Sequence, residues 1–146
     1  MSDTDTAAWA ALLRVHAALV PALDRDLQAA TGLPLTWYDV LLELNAAAER
    51  RLSMGQLGQR AVVSRTWVSR VVDQLVAAGL VTREANPDDR RSAYAAITPA
   101  GRDRLRAAAP VYLDGIARHF TSRMTPAEAR TVAAALEKVL AAPDRR

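Results

Sequence analysis

From Trp9 to Leu27 the apolar positions recur at helical spacing, at Trp9, Leu12, Leu13, Leu19, Val20, Leu23 and Leu27, with His16 on the same stripe. That pattern predicts a long amphipathic helix. Pro21 lies inside it and predicts a kink near its middle, and Gly32 supplies the stop. Thr36 is placed to cap a second helix, WYDVLLELNAAAE, with Tyr38, Leu41, Leu42 and Leu44 available for packing. SMGQ, beginning at Ser53, has the form of a capping box closed by Gln56, and opens a short third helix to about Arg60 with Leu57 facing inward. Ser64 can cap a fourth helix, striped by Val68, Val71, Val72, Leu75 and Val76 and ended by Gly79. The period then changes. LVTREA and SAYAAI are short β-type runs on either side of NPDDRRS, which predicts a hairpin. Thr98 and Pro99 start a fifth helix expected to reach about Arg123, disturbed by Pro110 and Gly115. Thr125 with Glu128 forms a second capping box, and the sixth helix packs through Val132, Ala133, Leu136, Val139 and Leu140.

The predicted chain is mainly α with one small β-hairpin. From about Ser53 to Thr98 it has the layout of a winged helix-turn-helix: a short helix, a tight turn, a second helix and a hairpin wing. In that motif the second helix lies in the DNA major groove with its N-terminal residues at base edges. Here the apolar stripe leaves Arg65, Thr66, Ser69, Arg70 and Asp73 off the core face, with Ser64 at the cap. Arginine can donate two hydrogen bonds to a guanine edge, and Ser or Thr can reach bases or phosphates. Trp67 either packs against the second helix, the favoured placement, or lies along a sugar-phosphate backbone.

Composition narrows the chemistry. The 146 residues include no cysteine, which excludes disulfides, thiolate metal sites and thiol redox sensing. His16 and His119 are the only histidines, too few for a protein-held zinc site. No nucleophile–base pattern or phosphate-binding glycine loop is present, so neither an enzyme nor a cofactor is expected. The N-terminal MSDTDTAAW has no basic lead into an apolar stretch, and no run of about 18 apolar residues is read, so a cytoplasmic address without membrane contact is expected. The net charge of +3 is unevenly placed: Arg50 to Arg106 holds eleven arginines against five acidic residues, a local +6, and the remainder is −3. That asymmetry points to a polyanionic partner for the middle of the chain.

The hairpin tip sharpens this reading. An arginine in a narrow minor groove gains from the negative potential there. Ordering its side chain costs up to ~2 kcal/mol. Asp89, two residues before Arg91, can hold that guanidinium in place with a bidentate bond, while Arg90 faces phosphate. The alternative is a plain turn after Asn86-Pro87 with solvated arginines.

LPLTWYDVLLEL, SRTWVSRVVDQLVAAGLVTRE and NPDDRRSAYAAITPAG, with the spacing between them, resemble the MarR family of bacterial transcriptional regulators, most specifically in DDRR followed by ITPAG. The resemblance implies a homodimer. Residues 1–35 and 99–146 would form a helical dimerisation lobe and 36–98 a DNA-binding lobe, set on a pseudo-palindromic double-stranded DNA site. It implies that Asp89 and Arg91 form the wing pair and that Arg83 pairs with Asp73. Repression released by a small aromatic or anionic ligand is also implied, with Arg14, His16, Trp37, Tyr38, Asp39 and Tyr112 as candidate contacts. For each of these the ordinary packing role stands beside the functional one. A regulator without a ligand, or a winged helix that binds protein instead of DNA, remains the competing reading.

Overall fold

A computed structural model describes residues 3–61, 65–89 and 92–142. Among these residues, six α-helices and three short strands follow in the order α1 (Asp3–Thr31), α2 (Leu35–Ala46), β1 (Arg51–Ser53), α3 (Met54–Arg60), α4 (Arg65–Ala77), β2 (Val81–Glu84), β3 (Tyr94–Ile97), α5 (Pro99–His119) and α6 (Pro126–Leu140). The chain divides into two compact units, Asp24–Tyr112 and Met1–Leu23 with Leu113–Arg146.

The Asp24–Tyr112 unit holds the buried core. Leu27, Leu33, Val40, Leu41, Leu44, Leu57, Val68, Val72, Leu75 and Val81 are almost fully enclosed. Burial of each such side chain stabilises by about 1.5–3 kcal/mol. The predicted stripe of α4 is buried through Val68, Val71, Val72 and Leu75, but Val76 is exposed, as is Leu42 of α2. Each lies one position beyond a buried leucine, and the 100° advance per residue carries it over the edge of the buried face.

Several local predictions hold. Gly32 follows α1 with a φ of +72°, and Gly79 follows α4 with a φ of +76°. The second of these closes a Schellman motif: Leu80 N–H donates to Leu75 O at 2.9 Å and Gly79 N–H to Val76 O at 3.0 Å. Both capping boxes, Ser53 with Gln56 and Thr125 with Glu128, are complete.

Other predictions are corrected. The cap of α2 is Pro34, and Thr36 already lies inside the helix. Asp24, on α1, accepts from Leu35 N–H at 2.8 Å and so satisfies a helix-end donor from a distant point in the sequence. α5 stops at His119, before a separate 3₁₀ turn over Thr121–Arg123, because Phe120 leaves the helical region (φ −123°, ψ −71°). α1 is also long and apolar enough, by length and composition alone, to cross a membrane, although Arg14 and His16 interrupt its apolar run. Its alanines carry apolar character beyond the single stripe.

The hairpin is in fact a three-stranded antiparallel sheet in the order β1-β3-β2. Pairing of Val81 with Ile97 and of Leu52 with Ala95 puts all four on the core face, and all four are buried. β3 then leads directly into α5, where Thr98 caps the helix by accepting from Gly101 N–H at 3.0 Å. Gly101 is packed so tightly that an added Cβ would lie 2.2 Å from Leu80 O and 2.8 Å from Ile97 Cγ1. Alanine is the better helix former by about 1 kcal/mol, but the clash is with backbone and overpacking costs about 1–3 kcal/mol. Gly101→Ala is therefore expected to lower stability in chemical denaturation. A stabilised variant would contradict this close approach.

The second unit is built differently. None of its described hydrophobic side chains is buried, and Trp9, Leu13, Leu113, Val139 and Leu140 are at least half exposed. The apolar stripe of α6 thus exists as predicted, but within one chain it lies largely uncovered.

Candidate nucleic-acid interface

α4 buries one face and presents Thr66, Trp67, Ser69, Arg70, Asp73 and Gln74 on the other. Arg65 opens the helix. Ser64, its predicted cap, lies outside the described residues. Trp67, favoured for packing on α2, is instead 54% exposed, and the Arg70 guanidinium sits 5.4 Å from its ring centre. The tryptophan that ties α2 to α4 is Trp37, whose Nε1–H donates to Gln74 Oε1 at 2.9 Å. Trp67 falls on the polar side of the stripe, so a flat aromatic surface stands among the polar groups. A cation–π contact at such an exposed place is worth about 0.5–1 kcal/mol.

Sheet register explains how the wing is fixed to this helix. Arg83 pairs with Ala95 and so points to the core side of the sheet, where it reaches Asp73 on α4 at 2.5 Å. This is the predicted ion pair. Both groups are well exposed, so it contributes at most about 1 kcal/mol and acts mainly as a tether. On the opposite face, Glu84 lies opposite Tyr94, and Arg51 opposite Ala96. Arg51 donates to Glu84 at 3.1 Å, pairs with Glu49 at 2.9 Å and lies 4.4 Å from the Tyr94 ring centre. The hydrogen bond to Glu84, aided by nearby negative charge, raises the Arg51 pKa above its ordinary value. Sequence reading missed this cluster, because a three-residue strand just before a capping box has no visible period.

At the tip, Asp88 N–H donates to Asn86 Oδ1 at 3.0 Å, an Asx turn that directs the chain as the Asn-Pro-Asp run predicts. Ser92 N–H donates to Asp89 O at 3.2 Å across the loop. Arg90 and Arg91 lie outside the described residues, as does the proposed bond between Arg91 and Asp89.

Of the ligand candidates, the structure brings three together. The Tyr38 and Tyr112 rings lie 4.7 Å apart and tilted by 49°. Burial pushes the Tyr38 phenol pKa up, and Tyr112 adds to it. Burial likewise raises Tyr112, with the nearby charge of Asp39 contributing. Trp37 is engaged with α4, as described. Arg14 and His16 belong to the other unit and are exposed, so His16 is not a packed core histidine within one chain.

A capped short helix, a second helix with an exposed polar face and a tethered three-stranded wing define a winged helix-turn-helix regulator. The MarR family sequence profile matches residues 31–92. Over 107 residues the chain is 35% identical to YkoM of Bacillus subtilis (strain 168), an uncharacterized HTH-type transcriptional regulator, across 73% of this chain and 68% of that protein. The crystal structure of Sco3205, a MarR family transcriptional regulator from Streptomyces coelicolor in complex with DNA, matches with a TM-score of 0.87 at 28% identity, over 100% of this chain and 93% of that one. AbsC, another MarR family regulator of that organism, matches with a TM-score of 0.83 at 29% identity, over 96% and 94%. The chain belongs to the MarR family of transcriptional regulators.

Proposed function

We propose that this protein is a dimeric, sequence-specific DNA-binding repressor that acts in the cytoplasm and has no enzymatic role. The observation that carries the reading is the division of α4: one face is locked into the core, and the other presents Thr66, Ser69 and Arg70 beside a wing tied to it through Arg83 and Asp73. α4 enters the major groove, with Arg65 and Thr66 in the first turn at base edges, and Ser69 and Arg70 reach the backbone. The wing brings Arg90 and Arg91 to the flanking phosphates and minor groove, with Asp89 orienting Arg91. The DNA complex of Sco3205 supports this placement by similarity.

The uncovered apolar residues of the Met1–Leu23 and Leu113–Arg146 unit support a second chain as partner. Large exposed apolar patches mark interaction surfaces. Trp9, Leu113 and Leu140, each more than 60% exposed, would gain most by being covered. The same pairing explains why α1 is apolar enough to span a bilayer: a helix with Arg14 near its middle is poorly suited to a membrane, where that charge costs at least about 2.5–3.5 kcal/mol. A small aromatic or anionic effector is part of the proposal, with the contacting Tyr38 and Tyr112 rings as its stacking surface. Selection of bound duplexes from a random pool tests the reading. Two related half-sites are expected, and absence of any enriched sequence would contradict it.

A further inference from the structure

α4 carries one aromatic residue, and it stands off the buried face of the helix. Trp67 is 54% exposed although the next residue, Val68, is 1% exposed, because one step along the chain turns the side chain about 100° around the axis. Gln74, seven residues on, shares the flank of Trp67, and there Trp37 of α2 donates to it at 2.9 Å. Trp67 lies two turns nearer the N-terminus, the end of α4 that the proposed docking sets in the major groove.

Two features mark the ring as a contact surface. A tryptophan side chain brings about 150–250 Å² of mostly apolar area. About half of the residue stays in water here, which is unfavourable until something covers it. The Arg70 guanidinium, three residues on, sits 5.4 Å from the ring centre. That contact narrows the rotamers of both side chains and sets a fixed cation beside an apolar ring.

The pairing selects its target by chemistry. In the major groove thymine is the base that presents a methyl group, while the other three offer polar edges. The indole ring has a single polar atom, the donor Nε1–H, and otherwise suits an apolar group. In the proposed docking Arg70 takes a phosphate on this flank, which leaves the ring toward the base edges. We propose that Trp67 is a specificity-determining residue: its ring, steadied by Arg70, packs on the C5-methyl of one thymine in each half-site. The inference rests on the proposed DNA reading and deepens it by naming the base that α4 prefers at this position.

The test uses the full-length protein and the duplex that it enriches from a random pool. Each thymine is replaced in turn by deoxyuridine at both half-sites, which removes the methyl group alone, and affinity is read by fluorescence anisotropy. At one thymine position the parent protein should lose about fourfold per methyl, about fifteenfold for the symmetric pair. Trp67→Ala should bind the unmodified duplex about fifteenfold or more weakly and respond less than about twofold to the same replacement. Trp67→Phe should keep the response. The deoxyuridine response of the parent needs no variant, so it stands whatever a substitution does to folding. Equal binding with uracil at every position would overturn the inference and leave the DNA reading intact. An equal loss by Trp67→Ala on both duplexes would overturn it too, placing the ring on the sugar-phosphate backbone. If no duplex is enriched at all, this inference and the DNA reading fall together.

Discussion

Arg65→Ala is expected to weaken operator binding by about thirtyfold or more while leaving the thermal midpoint unchanged. A bidentate arginine–guanine contact discriminates by about 1–3 kcal/mol. In a two-fold symmetric complex each substitution removes the contact at both half-sites, so the losses add to about 2–6 kcal/mol. Arg65 is the first residue of α4, the end of the helix that the proposed docking sets at base edges. The variant should also relax sequence preference at one base pair of each half-site. An even loss across all sequences would mean that Arg65 touches phosphate. Unchanged affinity would remove α4 from the groove.

The second large effect is on salt dependence. Each neutralised phosphate contributes a slope of about −0.9 in log affinity against log salt. A dimer with three to five phosphate contacts per subunit should therefore lose about 10³–10⁵ in affinity between roughly 50 and 200 mM salt. The charge layout makes this expectation specific, since Arg50 to Arg106 carries +6 and the rest of the chain −3. Arg91→Ala should make the slope shallower by about two, one phosphate per subunit, if that arginine rests on the backbone. It should leave the slope nearly unchanged if Arg91 sits on base edges in the minor groove. A flat profile for the parent protein would show that the basic segment does not meet phosphate at all.

What could be read in the sequence follows from how local each determinant is. The capping boxes at Ser53 and Thr125, the glycine stops and the stripe of α4 from Val68 to Leu75 are short-range patterns, and they appear as read. The tether from Arg83 to Asp73 was legible through the family resemblance, and the sheet register supplies its physical reason. Determinants that act across the fold were not legible. Asp24 caps α2 from α1, and no local pattern announces it. Arg51 joins Glu49, Glu84 and Tyr94 only because β1 pairs with β3. That Trp37 bridges α2 to α4 through Gln74 was not legible for a similar reason: which aromatic residue bridges two helices depends on their crossing, and sequence spacing does not encode it. The apolar stripes of α1 and α6 were visible in the sequence, yet within a single chain they lie largely uncovered.

The central claim is that two copies of this chain place paired α4 helices in successive major grooves of one duplex. Selection of bound DNA from a random pool by the full-length protein measures this directly. The predicted result is an inverted repeat whose half-site centres lie about 10–10.5 base pairs apart, one helical turn. A single unrepeated half-site, or repeats in the same orientation, would contradict it.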